Sequence, residues 1–162
     1  MSSKTRIAIV SDKAGFSLKA AVTEYLQSRD DIDVIDFGLH SADEVQPYDT
    51  QAPKVARAIQ KGEADRGVLI CGTGQGMAIV ANKFKGVYAV VADTVFAGTR
   101  GRIINNSNAI TMGGWITAPI LGVEIVKRWL ELEFTQTMEE RAEWLQGAFD
   151  RLQKLEGENF TA

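Results

Sequence analysis

The chain has 162 residues, 45% hydrophobic and 24% charged, the balance of one soluble globular domain with a sizeable core. Its formal net charge of -3 at pH 7 supplies no basic field for nucleic acid, so an acidic substrate would have to meet local cations. A single cysteine and a single histidine exclude an internal disulfide and a conventional zinc cluster; no run approaches membrane-spanning length, which fits a reducing, cytoplasmic setting.

The nearly unbroken apolar run RIAIV (6–10) predicts a first strand buried on both faces. Leu18, Val22, Tyr25 and Leu26 follow at helical spacing, and DVIDFG (33–38) predicts a second strand. Residues 39–50 read as a loop with Pro47, and Thr50 opens a helix to about Lys61 with Val55 and Ile59 on one face. GVLIC (67–71) and GVYAVVAD (86–93) predict the third and fourth strands, with a helix at 76–83 between them. A helix or turn near 94–104 leads to a fifth strand in SNAITMGG (107–114). Thr117 and Pro119 suit a helix start, and Val123, Val126, Trp129 and Leu130 form its apolar stripe.

Five β-α units with short connections predict an α/β fold, a parallel sheet covered by helices on both sides. TMEE (137–140) reads as a capping box, Thr137 with Glu140, that opens a last helix to about Leu155. Trp144, Leu145, Ala148, Phe149 and Leu152 make its wide apolar face, which packs either on the chain's own core or on a second subunit. The expected organisation is an α/β domain over 1–134 and a helical extension of it over 135–162.

In open parallel sheets, ligands bind outside the carboxyl ends of the strands. Two such ends are polar and flexible, SDKAG (11–15) and CGTGQG (71–76). A nucleotide cradle fits poorly: no Lys-Ser/Thr follows Gly76, Met77 stands where the dinucleotide fingerprint needs glycine, and the turn follows the third strand. A catalytic bend fits better. Cys71 would face the start of the next helix, where the backbone field favours a thiolate, and Gly72, Gly74 and Gly76 would free N–H groups for developing negative charge. On the residues alone, that reading and a buried small hydrophobe stand level.

RIAIVSDKAGFSLKAAV, VIDFG, GEADRGVLICGTGQGMAIVANKFKGVYAVV and NNSNAITMGG occur in order over about residues 5–134. In them the chain resembles the family containing type B ribose-5-phosphate isomerase and galactose-6-phosphate isomerase. The resemblance implies a flavodoxin-like, three-layer α/β/α sandwich, a homodimer or larger homo-oligomer, and aldose–ketose isomerisation of a sugar phosphate without metal or organic cofactor. By the same resemblance Cys71 matches the base that moves a proton between adjacent carbons. Gly72, Thr73, Gly74 and Gly76 match the loop that stabilises the enediolate. Asp12 matches an aspartate contacting substrate hydroxyls, with Lys13 beside it at the site mouth. Asn105 matches an asparagine that enters the site from the neighbouring subunit.

The chain also departs from the family. Ile104 stands where many members have a ring-opening histidine, so either another group opens the ring or the substrate never cyclises, as with a four-carbon ketose phosphate. Trp115 stands close to the place of a family arginine, where core packing or a subunit contact is expected ahead of stacking on a sugar face, and TQTMEER (135–141) replaces a basic tail segment. Lys13, Arg100, Arg102 and Arg141 are the nearest cations, and His40 is expected in a surface loop without a catalytic task. These departures leave a second reading, a site-completing or sugar-phosphate-binding subunit of a hetero-oligomer.

Overall fold

Residues 4–160 are described by the computed structural model; residues 1–3 and 161–162, the outer ends of the two expected units, lie outside the described residues. Strands β1 (Thr5–Ser11), β2 (Ile32–Asp36), β3 (Arg66–Cys71), β4 (Ala89–Val91) and β5 (Ala109–Gly113) form one all-parallel sheet. All five expected strands are present. Their order is β2-β1-β3-β5-β4, with β5 inserted between β3 and β4, so the last two strands are exchanged relative to flavodoxin-like sheets. β4 is shorter than expected because Gly86 turns the chain at a φ of 80° and the Tyr88 N–H donates to the Asn108 side chain, outside the ladder.

Alternate strand residues face opposite helical layers. On one side α1 (Phe16–Gln27), α4 (Val95–Asn105) and α5 (Pro119–Leu130) cover Ile7, Ile9, Val68, Ile70, Ile110 and Met112. Trp129 of α5 is fully buried there, and its indole N–H donates to Ser107 Oγ at 2.9 Å, so the large ring leaves no orphaned donor. On the other side α2 (Tyr48–Gln60) and α3 (Gln75–Ala81) cover Ala8, Val10, Leu69, Cys71 and Ala109.

The expected capping box does not form. Thr137 lies in the left-handed region at a φ of 63°, not the extended backbone of an N-cap, and its N–H donates to Glu139 Oε1 at 2.9 Å. A short 3₁₀ turn over Glu139–Arg141 follows, and α6 begins only at Ala142, running over Ala142–Asn159. One flank of α6 docks on its own chain. Leu145 is buried, Phe149 meets Tyr88 edge-on at 5.1 Å, and Glu156 accepts from the Gly86 N–H (2.7 Å) and the Tyr88 hydroxyl (2.9 Å). Trp144, Leu152 and Leu155 stay exposed, so much of the apolar face lies outside this core. Among the described residues no helix is long and apolar enough to cross a membrane.

Candidate active site

From β1 the chain places β2 on one flank and β3 on the other, and such a reversal opens a crevice at the carboxyl ends of the two central strands. Ser11 lies in register with Ile70, and the Asp12 N–H donates to Ile70 O at 3.1 Å. The end of β5 joins them: the Gly114 N–H donates to Cys71 O (2.7 Å) and the Trp115 N–H to Gly72 O (3.0 Å). The resulting cleft, about 490 Å³, brings together Asp12, Lys13, Cys71, Gly72, Thr73 and Gly76.

Cys71 is 5% exposed and packs among the residues under α2 and α3, yet it also lines the cleft. Its burial is that of a small hydrophobe, and its place on the cleft wall is the one the catalytic reading requires. Gly74, absent from the lining, serves the sulfur: its N–H donates to Sγ at 3.1 Å. It can do so because its φ of 78° suits glycine, and it is the residue that caps the start of α3. The Gln75 N–H approaches Thr73 Oγ1 at 3.4 Å, which leaves the hydroxyl proton of Thr73 available for donation.

Gly72 and Gly76 have a further reason to be glycine. A Cβ on Gly72 would lie 2.7 Å from the Trp115 ring, and one on Gly76 would lie 2.7 Å from the Tyr48 ring. Each glycine is thus the seat of an aromatic wall, and both rings line the cleft. Trp115 is not packed in the core, being 76% exposed. Tyr48 was missed in the sequence, where 39–50 reads as loop. The available signal was positional, since a segment leaving the carboxyl end of β2 must overhang the same end of the sheet.

Asp12 caps the 3₁₀ turn Lys13–Gly15, its carboxylate accepting from the Gly15 N–H at 3.0 Å. Burial pushes its pKa above the ordinary carboxyl value, opposed by hydrogen bonds from the Gly15 and Ala14 N–H groups. Lys13 is exposed at the rim.

The other cations do not line this cleft. Arg102 is buried and committed to Leu132 O, Ser107 O, Asn106 Oδ1 and Glu133 Oε2 at 2.6–3.1 Å. Arg66 joins it on Glu133 and donates to the Trp129 and Leu130 carbonyls, its pKa pushed down by burial and by Arg102. Arg100 lies 5.0 Å over the Phe96 ring, and Arg141 is exposed in the turn before α6. Asn105, the last residue of α4, is exposed and lines a different cleft of about 510 Å³ with Tyr88, Leu152 and Glu156. Ile104 is half-buried and His40 is exposed, both away from Cys71. Among the described residues no group of three or more His, Cys, Asp or Glu is placed to hold a metal ion.

A sequence model of the Ribose/Galactose Isomerase family matches residues 7–145. The chain is 45% identical to a 4-deoxy-4-sulfo-D-erythrose isomerase of a Clostridium species, over 93% of this chain and 95% of that one. It is 41% identical to D-erythrulose-4-phosphate isomerase 2 of Mycolicibacterium smegmatis, over 80% of this chain and 86% of that one. The solved ribose-5-phosphate isomerase B of Clostridium thermocellum superposes with a TM-score of 0.86 at 33% identity, over 96% of this chain and 99% of that one. With the cysteine-glycine bend at the switch point of a matching sheet, the chain belongs to the ribose/galactose isomerase family of enzymes.

Proposed function

We propose that the protein is a cofactor-independent aldose–ketose isomerase of a four-carbon sugar with a terminal anionic group, and that Cys71 is its base. The observation that carries this reading is the buried Cys71 sulfur on the cleft wall, with a backbone N–H already donated to it. The thiolate takes the proton from the carbon beside the carbonyl, and the electron pair moves into the carbonyl to give an enediolate. The proton returns to the neighbouring carbon while the hydroxyl proton passes to the other oxygen. The Thr73 hydroxyl and the turned loop 72–76 offer donors for the charge on the enediolate oxygens, and the Asp12 carboxyl, on the lining of the same cleft, serves substrate hydroxyls.

Chain length is supported by Ile104, which cannot move a proton and stands where the family resemblance expects a ring-opening histidine. A four-carbon sugar whose last hydroxyl is substituted cannot close a five-membered ring and needs no ring-opening group. Two of the relatives carry names for four-carbon substrates, which supports the same length. The working unit is at least a dimer in which Asn105 serves the neighbour's cleft. In support, Asn105 is exposed away from its own cleft, and Ile79, Phe96 and Trp144 leave apolar surface on α3, α4 and α6.

The test is isomerisation in deuterated water. Purified protein should interconvert a terminally sulfonated or phosphorylated erythrulose and its erythrose with deuterium entering at carbon. Cys71→Ala should lower that rate roughly 10²–10⁴-fold or more with thermal unfolding unchanged. Exchange that survives in the variant removes Cys71 from the chemistry.

A further inference from the structure

Within one protomer the cleft carries very little positive charge for an enzyme of anionic substrates. Among the described residues that line it, Lys13 is the one cation, and the Asp12 carboxyl is its neighbour. Much of the remaining wall is apolar or aromatic: Val45, Pro47, Tyr48 and Trp115. Tyr48 and Trp115 bring neutral donors, an O–H and an N–H, and both are seated on glycines of the loop that carries Cys71. Arg102, the buried arginine nearest in sequence to Asn105, is held by two carbonyls, Asn106 and Glu133 and does not line this wall.

Charge decides what such a wall can hold. A phosphate ester carries close to two negative charges at neutral pH, whereas a sulfonate carries one. The cost of bringing an ion from water against apolar walls rises steeply with its charge, and a second negative charge beside Asp12 adds repulsion. With Lys13 offset by Asp12, one protomer supplies two neutral donors and no net positive charge, a wall that seats a monoanion at less cost than a dianion. Resting on the isomerase reading above, we propose that the wall formed by Lys13, Tyr48 and Trp115 selects a terminal sulfonate over the phosphate ester of the same four-carbon chain. The match to the sulfo-erythrose isomerase, which extends over 93% of this chain, points to the same group.

The experiment compares the two substrates, and separately their carbonyl-free analogues, sulfonated and phosphorylated erythritol, by calorimetry on the purified full chain. Wild type should show kcat/KM for the sulfonate roughly tenfold or more above that for the phosphate, with the same order in binding of the analogues. Trp115→Arg, at an exposed position, should move both ratios toward phosphate by roughly tenfold. Trp115→Phe, which keeps a ring and loses the N–H, should weaken sulfonate binding. Equal or stronger binding of the phosphate analogue by wild type overturns the proposal, as do ratios unmoved by Trp115→Arg. Analogue binding in the expected order without any isomerisation would sink the isomerase reading and leave the anion preference standing.

Discussion

Around Cys71, the single atoms that matter are backbone nitrogens. Gly74 reaches the sulfur because its φ is positive, while Gly72 and Gly76 are fixed by rings lying on them. Gly76→Ala should therefore leave the fold intact and push Tyr48 off its seat, lowering kcat/KM roughly tenfold, measured beside unfolding curves that stay superimposable. Asp12 gives a pH-dependent outcome. Burial raises its folded-state pKa above the unfolded one, so between the two values the folded protein holds the extra proton and loses stability as pH rises. Asp12→Asn keeps an oxygen for the Gly15 N–H and deletes the charge. Its Tm should exceed that of wild type at neutral pH, and the gap should close as pH falls below the ordinary carboxyl range. A wild type more stable than the variant at neutral pH would contradict this sign. Cys71 and its glycines were legible in the sequence because the whole device is one short run. Tyr48 and Trp115 were not, since what gives them meaning is the approach of rings to glycines more than twenty residues away in the chain.

The strands could be read from sequence because burial on both faces makes each a continuous apolar run, and the structure departs mainly in their ends. The C-terminal helix was harder. Thr135 and Thr137 both take positive φ, a choice that local propensity argues against, and α6 starts five residues beyond the expected cap. Beside the packing of Leu145 and Phe149, a single carboxylate ties α6 down: Glu156 accepts from the Gly86 N–H and the Tyr88 hydroxyl across the β3–β4 crossing. Burial, and then Glu156, keep that tyrosine proton in place by pushing the Tyr88 pKa up. Glu156→Ala should cost about 1–3 kcal/mol in chemical unfolding and expose α6 amides to hydrogen exchange while β1 and β3 stay protected. Unchanged protection along α6 would show that Leu145 and Phe149 hold the helix without it.

For the molecule as a whole, five parallel strands were evident but their order was not, because every strand offers a similar apolar run and nothing local says that β5 slips between β3 and β4. That insertion brings Gly113 and Trp115 beside the Cys71 loop, so the site depends on a feature the strand pattern does not encode. Asn105, at the far end of α4, shows a second non-local dependence, since its proposed partner is another copy. Mixing inactive Cys71→Ala with inactive Asn105→Ala protein and refolding them together should restore activity to about a quarter of wild type, because each hybrid dimer regains one complete site. Mixtures as inactive as their parents would place Asn105 outside the reaction.

The two aromatic seats also say where new specificities of this enzyme can be sought. The floor of the cleft is locked, because nearly any side chain at Gly72 or Gly76 collides with what lies on it. The rings themselves are 43% exposed at Tyr48 and 76% at Trp115 and bear little of the fold's weight, so they can be exchanged like tiles. A mutational library aimed at other substrates should leave residues 71–76 alone and randomise Tyr48 and Trp115 as a pair. Variants recovered from it should keep the wild-type melting temperature while their substrate range moves.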